Sequence, residues 1–130
     1  MAFSHTLQAW ILNHFFRNQS QTAPASHFVA LYTVAPTDAG GGTEVSGGGY
    51  ARQSVTFGAT SGASPTSVTN SAQVQFPVAT ANWGTIVAAG IFTAATGGTF
   101  LGWGPLQTNK AINSGDQAVF NAGDATVQIT

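Results

Sequence analysis

His27-Phe28-Val29-Ala30-Leu31-Tyr32-Thr33-Val34 decides the fold. β-Branched and aromatic residues fill this run, and Pro24 and Pro36 bound it, which is the composition and punctuation of a β-strand. Apolar residues recur at helical spacing before it and at a period of two from it onward. Tyr50–Phe57 alternates Ala51, Val55 and Phe57 with Arg52, Ser54 and Thr56. Gln73–Val78 places Val74, Phe76 and Val78 on one face, with Pro77 marking an edge or a strand end. Thr85–Thr93 (TIVAAGIFT) is apolar on both faces, as a central strand is. Thr99–Trp103 follows the Gly97-Gly98 turn, and Gln117–Asn121 and Ala125–Thr130 flank the Ala122-Gly123-Asp124 turn. Gly58–Asn70 (GATSGASPTSVTN) reads as a long polar surface loop. Seven to eight short strands with Gly, Asn, Ser and Asp turns predict an all-β, antiparallel β-sandwich or jelly roll over residues 27–130.

Residues 4–20 read as the only helix, and with the sandwich they make one domain of residues 1–130. Ser4 is placed to cap the helix by accepting from a nearby backbone N–H. Phe3, Leu7, Trp10, Ile11, His14 and Phe15 share one face at the 3.6-residue period, and Leu12 and Phe16 add a second stripe beside it. A surface helix needs only one such stripe. The amphipathic helix is therefore expected to lie between its own sheet and a neighbouring subunit. Leu7, Trp10, Ile11, Phe15 and Phe16 are the candidate interface.

Charge is scarce. Of 130 residues, three are Lys or Arg and four are Asp or Glu, so the net charge is -1. An ordinary domain is about one-quarter charged. The composition excludes the electrostatic footprint of a nucleic-acid or anionic-membrane binder. With 43% hydrophobic residues, the chain is too apolar to remain disordered. A neutral polar surface of Thr, Ser, Asn, Gln and Gly suits faces covered by partners. There is no cysteine, hence no disulfide or thiolate chemistry. No apolar run reaches the roughly 20 residues of a bilayer span, and no Lys or Arg precedes the N-terminal apolar stretch as in a secretory signal.

Two of the seven charges fall within Gly40-Gly41-Gly42-Thr43-Glu44-Val45-Ser46-Gly47-Gly48-Gly49-Tyr50-Ala51-Arg52. A phosphate-cradling loop would need a Lys and a following helix; here a strand follows. The glycines instead serve positive-φ turns and close backbone approach. Gly47, Gly48 and Gly49, with a pair between Glu44 and Arg52, form a candidate structural loop. Asp116 and Asp124 sit in turn contexts where Asp bonds local backbone. His5, His14 and His27 have no metal-binding spacing, and no GxSxG elbow occurs. The expectation is a non-enzyme with no catalytic residues, cofactor or metal. Trp10, Trp83 and Trp103 are read as packing residues, with glycan stacking as the alternative.

The series Ala30-Leu31-Tyr32-Thr33, GTEVSGGGYAR, Trp83-Gly84-Thr85-Ile86, Gly90-Ile91-Phe92, Leu101-Gly102-Trp103-Gly104, Asn113-Ser114-Gly115-Asp116 and Phe120-Asn121-Ala122-Gly123-Asp124 resembles a family of small tailed-bacteriophage virion proteins, commonly labelled tail-fibre proteins. The resemblance spans residues 28–130. It implies a virion structural protein made in the host bacterial cytoplasm. The reading from sequence is a self-associating building block, expected as a homotrimer, that docks on phage capsid or tail proteins. Capsid decoration, as a cement protein, is the first placement. A tail-fibre or tail-tip component that contacts the host is the alternative, and a module binding a host-surface glycan is the second.

Overall fold

The structure, a computed structural model, describes residues 1–129. The elements in chain order are β1 (Ala2–Phe3), α1 (His5–Phe16), β2 (Phe28–Val34), β3 (Thr43–Glu44), β4 (Gln53–Ser54), β5 (Thr66–Thr69), β6 (Val74–Gln75), β7 (Gly84–Phe92), β8 (Phe100–Ile112), β9 (Val119–Phe120) and β10 (Thr126–Ile129). The fold is an all-β antiparallel sandwich with one N-terminal helix. The main sheet runs β1-β8-β7-β2-β3, and β4 also pairs with β2. Two ribbons, β5–β10 and β6–β9, supply the opposing layer.

The period-two pattern does what it predicts in β2. Val29 and Leu31 point into the main core with Ile86, Ile91 and Leu101 of the sheet and Val74 and Phe76 of the ribbon side. Ala30 and Tyr32 point to the reverse face, where they pack with Ala88 against Phe92 and Trp103. Both faces of β2 are thus covered, which explains its unbroken run of apolar residues. β7 lies between β2 and β8, the central position that its two-sided apolar sequence requires.

Several boundaries differ from the sequence reading: Gln73–Val78 and Gln117–Asn121 keep only Val74–Gln75 and Val119–Phe120 as strand, and four others differ for a physical reason. Gly58–Asn70 is not a loop throughout, because Thr66–Thr69 forms β5 and pairs residue for residue with β10. Its β-branched residues favour the extended backbone, but no alternation of large apolar residues announces it. Only Gln53–Ser54 of Tyr50–Phe57 is regular strand, since Tyr50 and Arg52 are engaged across the loop. β8 continues well past Trp103 to Ile112. It does so through a bulge, in which Leu106–Asn109 sit opposite Val87 alone, between the pairs Ala88–Pro105 and Ile86–Lys110. Pro105 opens that bulge, a place where a missing N–H costs no ladder bond. The helix stops at Phe16, short of residue 20, where Asn18 takes a left-handed φ of 56° and ends the turn. Thr130, at the end of the expected last strand, lies outside the described residues.

Candidate functional site

The helix is anchored at its start. Ser4 is buried, its Oγ accepts from Leu7 N at 3.1 Å, and its own N–H donates to Leu101 O at 2.8 Å. Leu7 and Trp10 pack against the sandwich core. No helical residue is fully buried, and Leu12, Phe15 and Phe16 are 57%, 71% and 78% exposed. At 100° per residue, Ile11, Phe15, Leu12 and Phe16 sweep an arc that begins beside the Leu7–Trp10 stripe and runs to the opposite side of the helix. The structure therefore sorts the five interface candidates. Leu7 and Trp10 are turned to the molecule's own core, Ile11 is intermediate, and Phe15 and Phe16 point away from it. Leu12 joins them.

The glycine loop is held by a compact polar cluster. Glu44 Oε1 accepts from Arg52 Nη2 at 2.8 Å, and Glu44 Oε2 accepts from Arg52 Nε at 2.9 Å and from Tyr50 Oη at 2.7 Å. Arg52 Nη1 donates to Ala94 O and Gly97 O. The guanidinium carbon lies 3.6 Å above the Phe92 ring centroid, a cation–π geometry. Tyr50 Oη also accepts from Leu31 N. One ion pair thus ties β2, β3, the glycine loop and the β7–β8 hairpin. Burial alone would push the Glu44 carboxyl up. Hydrogen bonds from Arg52 and Tyr50 and the guanidinium charge outweigh it and hold the group below its ordinary value. Burial and the Glu44 charge push the Tyr32 phenol up to about 12, and burial with the hydrogen bond to Glu44 raises Tyr50.

Gly48 shows why the loop is glycine-rich. Its φ is 61°, its carbonyl accepts from Trp83 Nε1 at 2.9 Å, and a Cβ there would sit 2.9 Å from that nitrogen. Trp83 is in the core, edge-on to Tyr50 at 5.4 Å between centroids; this indole is a packing residue. Trp103 packs on the reverse face of the sheet, and its buried Nε1 has no hydrogen-bond partner among the described residues.

Between the main sheet and the two ribbons runs an open cleft of about 670 Å³. Its floor includes Leu31 and Ile86, its walls Leu106 and Phe120, and its lip Val119, Lys110 and Asp124. Val119 is 40% exposed. The β8 bulge contributes one wall, so the cleft follows from the same register shift that lengthens β8.

The remaining polar candidates serve local structure. Asp116 Oδ2 accepts from Asn113 N, and Asp124 Oδ2 accepts from Asn121 N. His5 starts the helix, His14 Nδ1 accepts from Gln21 N, and His27 packs edge-on to Phe57. The three imidazoles do not converge, and no cluster of three metal-ligating side chains occurs among the described residues. Among the described residues, no helix is long and apolar enough to cross a membrane. Asn70 is a residue that sequence reading missed. It is 2% exposed; its Oδ1 accepts from Ala125 N, and its Nδ2 donates to Ala72 O and Asn121 O. Its signal in the sequence is slight: a polar residue ending a Ser/Thr-rich stretch.

The molecule is thus a small antiparallel sandwich held by the Glu44–Arg52 ion pair, with an uncovered aromatic helix end. The family described as "Podophage GP4 fiber I protein gp80" matches residues 2–128. The chain belongs to this family of phage fibre proteins, and so to the structural components of a bacteriophage virion. No curated protein matches the chain.

Proposed function

We propose that the protein is a non-enzymatic subunit of a phage tail fibre, made in the host cytoplasm, that self-associates as a homotrimer and joins the particle by apolar and neutral polar contacts. The helix carries this reading. Its Leu12, Phe15 and Phe16 are left in solvent, while the opposite face anchors it to the sandwich. Contiguous exposed apolar surface of this kind marks an interaction site. The family description favours fibre over capsid decoration. The structure adds nothing specific to a cement role or to a glycan platform: Trp83 is internal, and Trp103 is partly covered on the sheet.

Copy number in purified virions tests the placement. The fibre reading expects tens of copies or fewer per particle, with antibody label at the tail. Hundreds of copies distributed over the head would overturn it in favour of decoration.

A further inference from the structure

We propose that the exposed helix end of one copy seats in the cleft between the sheet and the ribbons of the next copy. This rests on the self-association reading above and says where the helix goes.

The chain carries both halves of such a joint. The projecting half is Leu12, Phe15 and Phe16, followed at once by Arg17. The receiving half is the cleft of about 670 Å³, lined by Leu31, Ile86, Leu106 and Phe120 and also by the polar Gln107, Thr108 and Gln117, a volume within the range of about 300–1,000 Å³ of ligand pockets. Charge completes the match. Arg17 is exposed, and its guanidinium donates only to the Asn13 side-chain oxygen on its own helix, at 2.9 Å. Asp124 lies at the cleft lip and uses Oδ2 for its own turn. The only salt bridge among the described residues is that of Glu44 with Arg52. Two helix ends packed on each other would bring two Arg17 cations together. A helix end in the cleft instead brings Arg17 to a lip that carries a carboxylate, Asp124, as well as the ammonium of Lys110.

Area decides the symmetry. An aromatic side chain buries about 150–250 Å², so the three-residue plug and its seat bury on the order of 800 Å² in total. That lies below the roughly 1,200 Å² at which stable interfaces begin. One such contact is weak. A joint between two different patches is heterologous, and when its rotation closes it forms a ring in which every copy makes two contacts.

Complementation of two defective variants tests this. Phe15→Asp with Phe16→Asp removes the plug and keeps the cleft. Val119→Arg blocks the cleft lip at an exposed position and keeps the plug. Each variant alone should retain its near-UV circular dichroism and remain at the protomer mass of 13.2 kDa. Mixed in equal amounts, at a protein concentration high enough to populate one weak contact, they should give a heterodimer of twice that mass by native mass spectrometry, because one intact plug meets one intact cleft. Two results would overturn the proposal: a mixture that stays monomeric, or Val119→Arg that assembles like the wild type. A monomeric wild type would instead sink the self-association reading itself, so the two failures are distinguishable.

Discussion

Glu44 and Arg52 are two of seven charged residues, and they meet in a site where their side chains are 24% and 11% exposed. Breaking a partly buried pair strands the surviving charge, so Glu44→Gln and Arg52→Gln should each cost about 2 kcal/mol. The double variant should lose about as much as either single one, a non-additivity read from chemical denaturation. Summed losses would mean that the two side chains act separately. The same pair sets an acid limit. The Glu44 carboxyl is lowered from 4.5 in the fold, so the unfolded chain takes up its proton first as pH falls. The clasp's contribution is therefore whole above the unfolded value and drains away as pH drops through the lower folded value. The stability gap between wild type and Glu44→Gln should be constant from pH 7 to about 5.5 and shrink toward pH 3. Sequence made the pairing legible at this scale because the two charges flank a glycine triplet in a nearly neutral chain. It did not reveal Tyr50 as a third partner, nor the Ala94 and Gly97 carbonyls. These sit more than 40 positions away from Arg52 and become its neighbours only when the β7–β8 hairpin folds over.

At the scale of elements, periodicity served where packing follows it. β2 and β7 are strongly patterned and sit centrally in the main sheet. β5 and the second half of β8 escaped because their stabilisation is not apolar alternation. β5 depends on a four-residue ladder with β10 and on Asn70, which stitches its end to the β9–β10 turn. Asn70→Ala would leave the Ala125 N–H and the Ala72 carbonyl without their partner, while Asn121 O would keep only its bond from Asp124 N. A loss of about 2–3 kcal/mol follows, from the cost of buried unsatisfied backbone groups. Hydrogen exchange should show it first in the amides of β5 and β10, with those of β2 and β7 less affected. Equal loosening of all four strands would show that Asn70 does not act locally. The helix face was half legible. Spacing marked an apolar arc wider than one core-facing stripe, but which part faces the protein's own core depends on how Ser4 and Met1–Phe3 dock against β8, which no spacing rule supplies.

For the whole molecule, the distribution of charge matters more than its sum. The Glu44–Arg52 ion pair is partly buried, and Arg17, Asp38, Lys110, Asp116 and Asp124 are thinly spread over the rest of the chain. Association through Leu12, Phe15 and Phe16 should therefore respond weakly to simple salt. Between 50 and 500 mM NaCl the association constant should change by less than about fivefold, the most that one exposed Arg17–Asp124 contact contributes. Sedimentation equilibrium at the two concentrations measures it; a change of a hundredfold would require a charged interface instead.

The aromatic end of α1 has one more consequence. Contacts made by removing apolar surface from water draw their strength from the freedom returned to that water, and this contribution fades as temperature falls. At the proposed joint, copies held through two phenylalanines and a leucine, with little charge to compensate, should bind more tightly in warm surroundings than in cold. Their assemblies should loosen in the refrigerator and re-form on the bench.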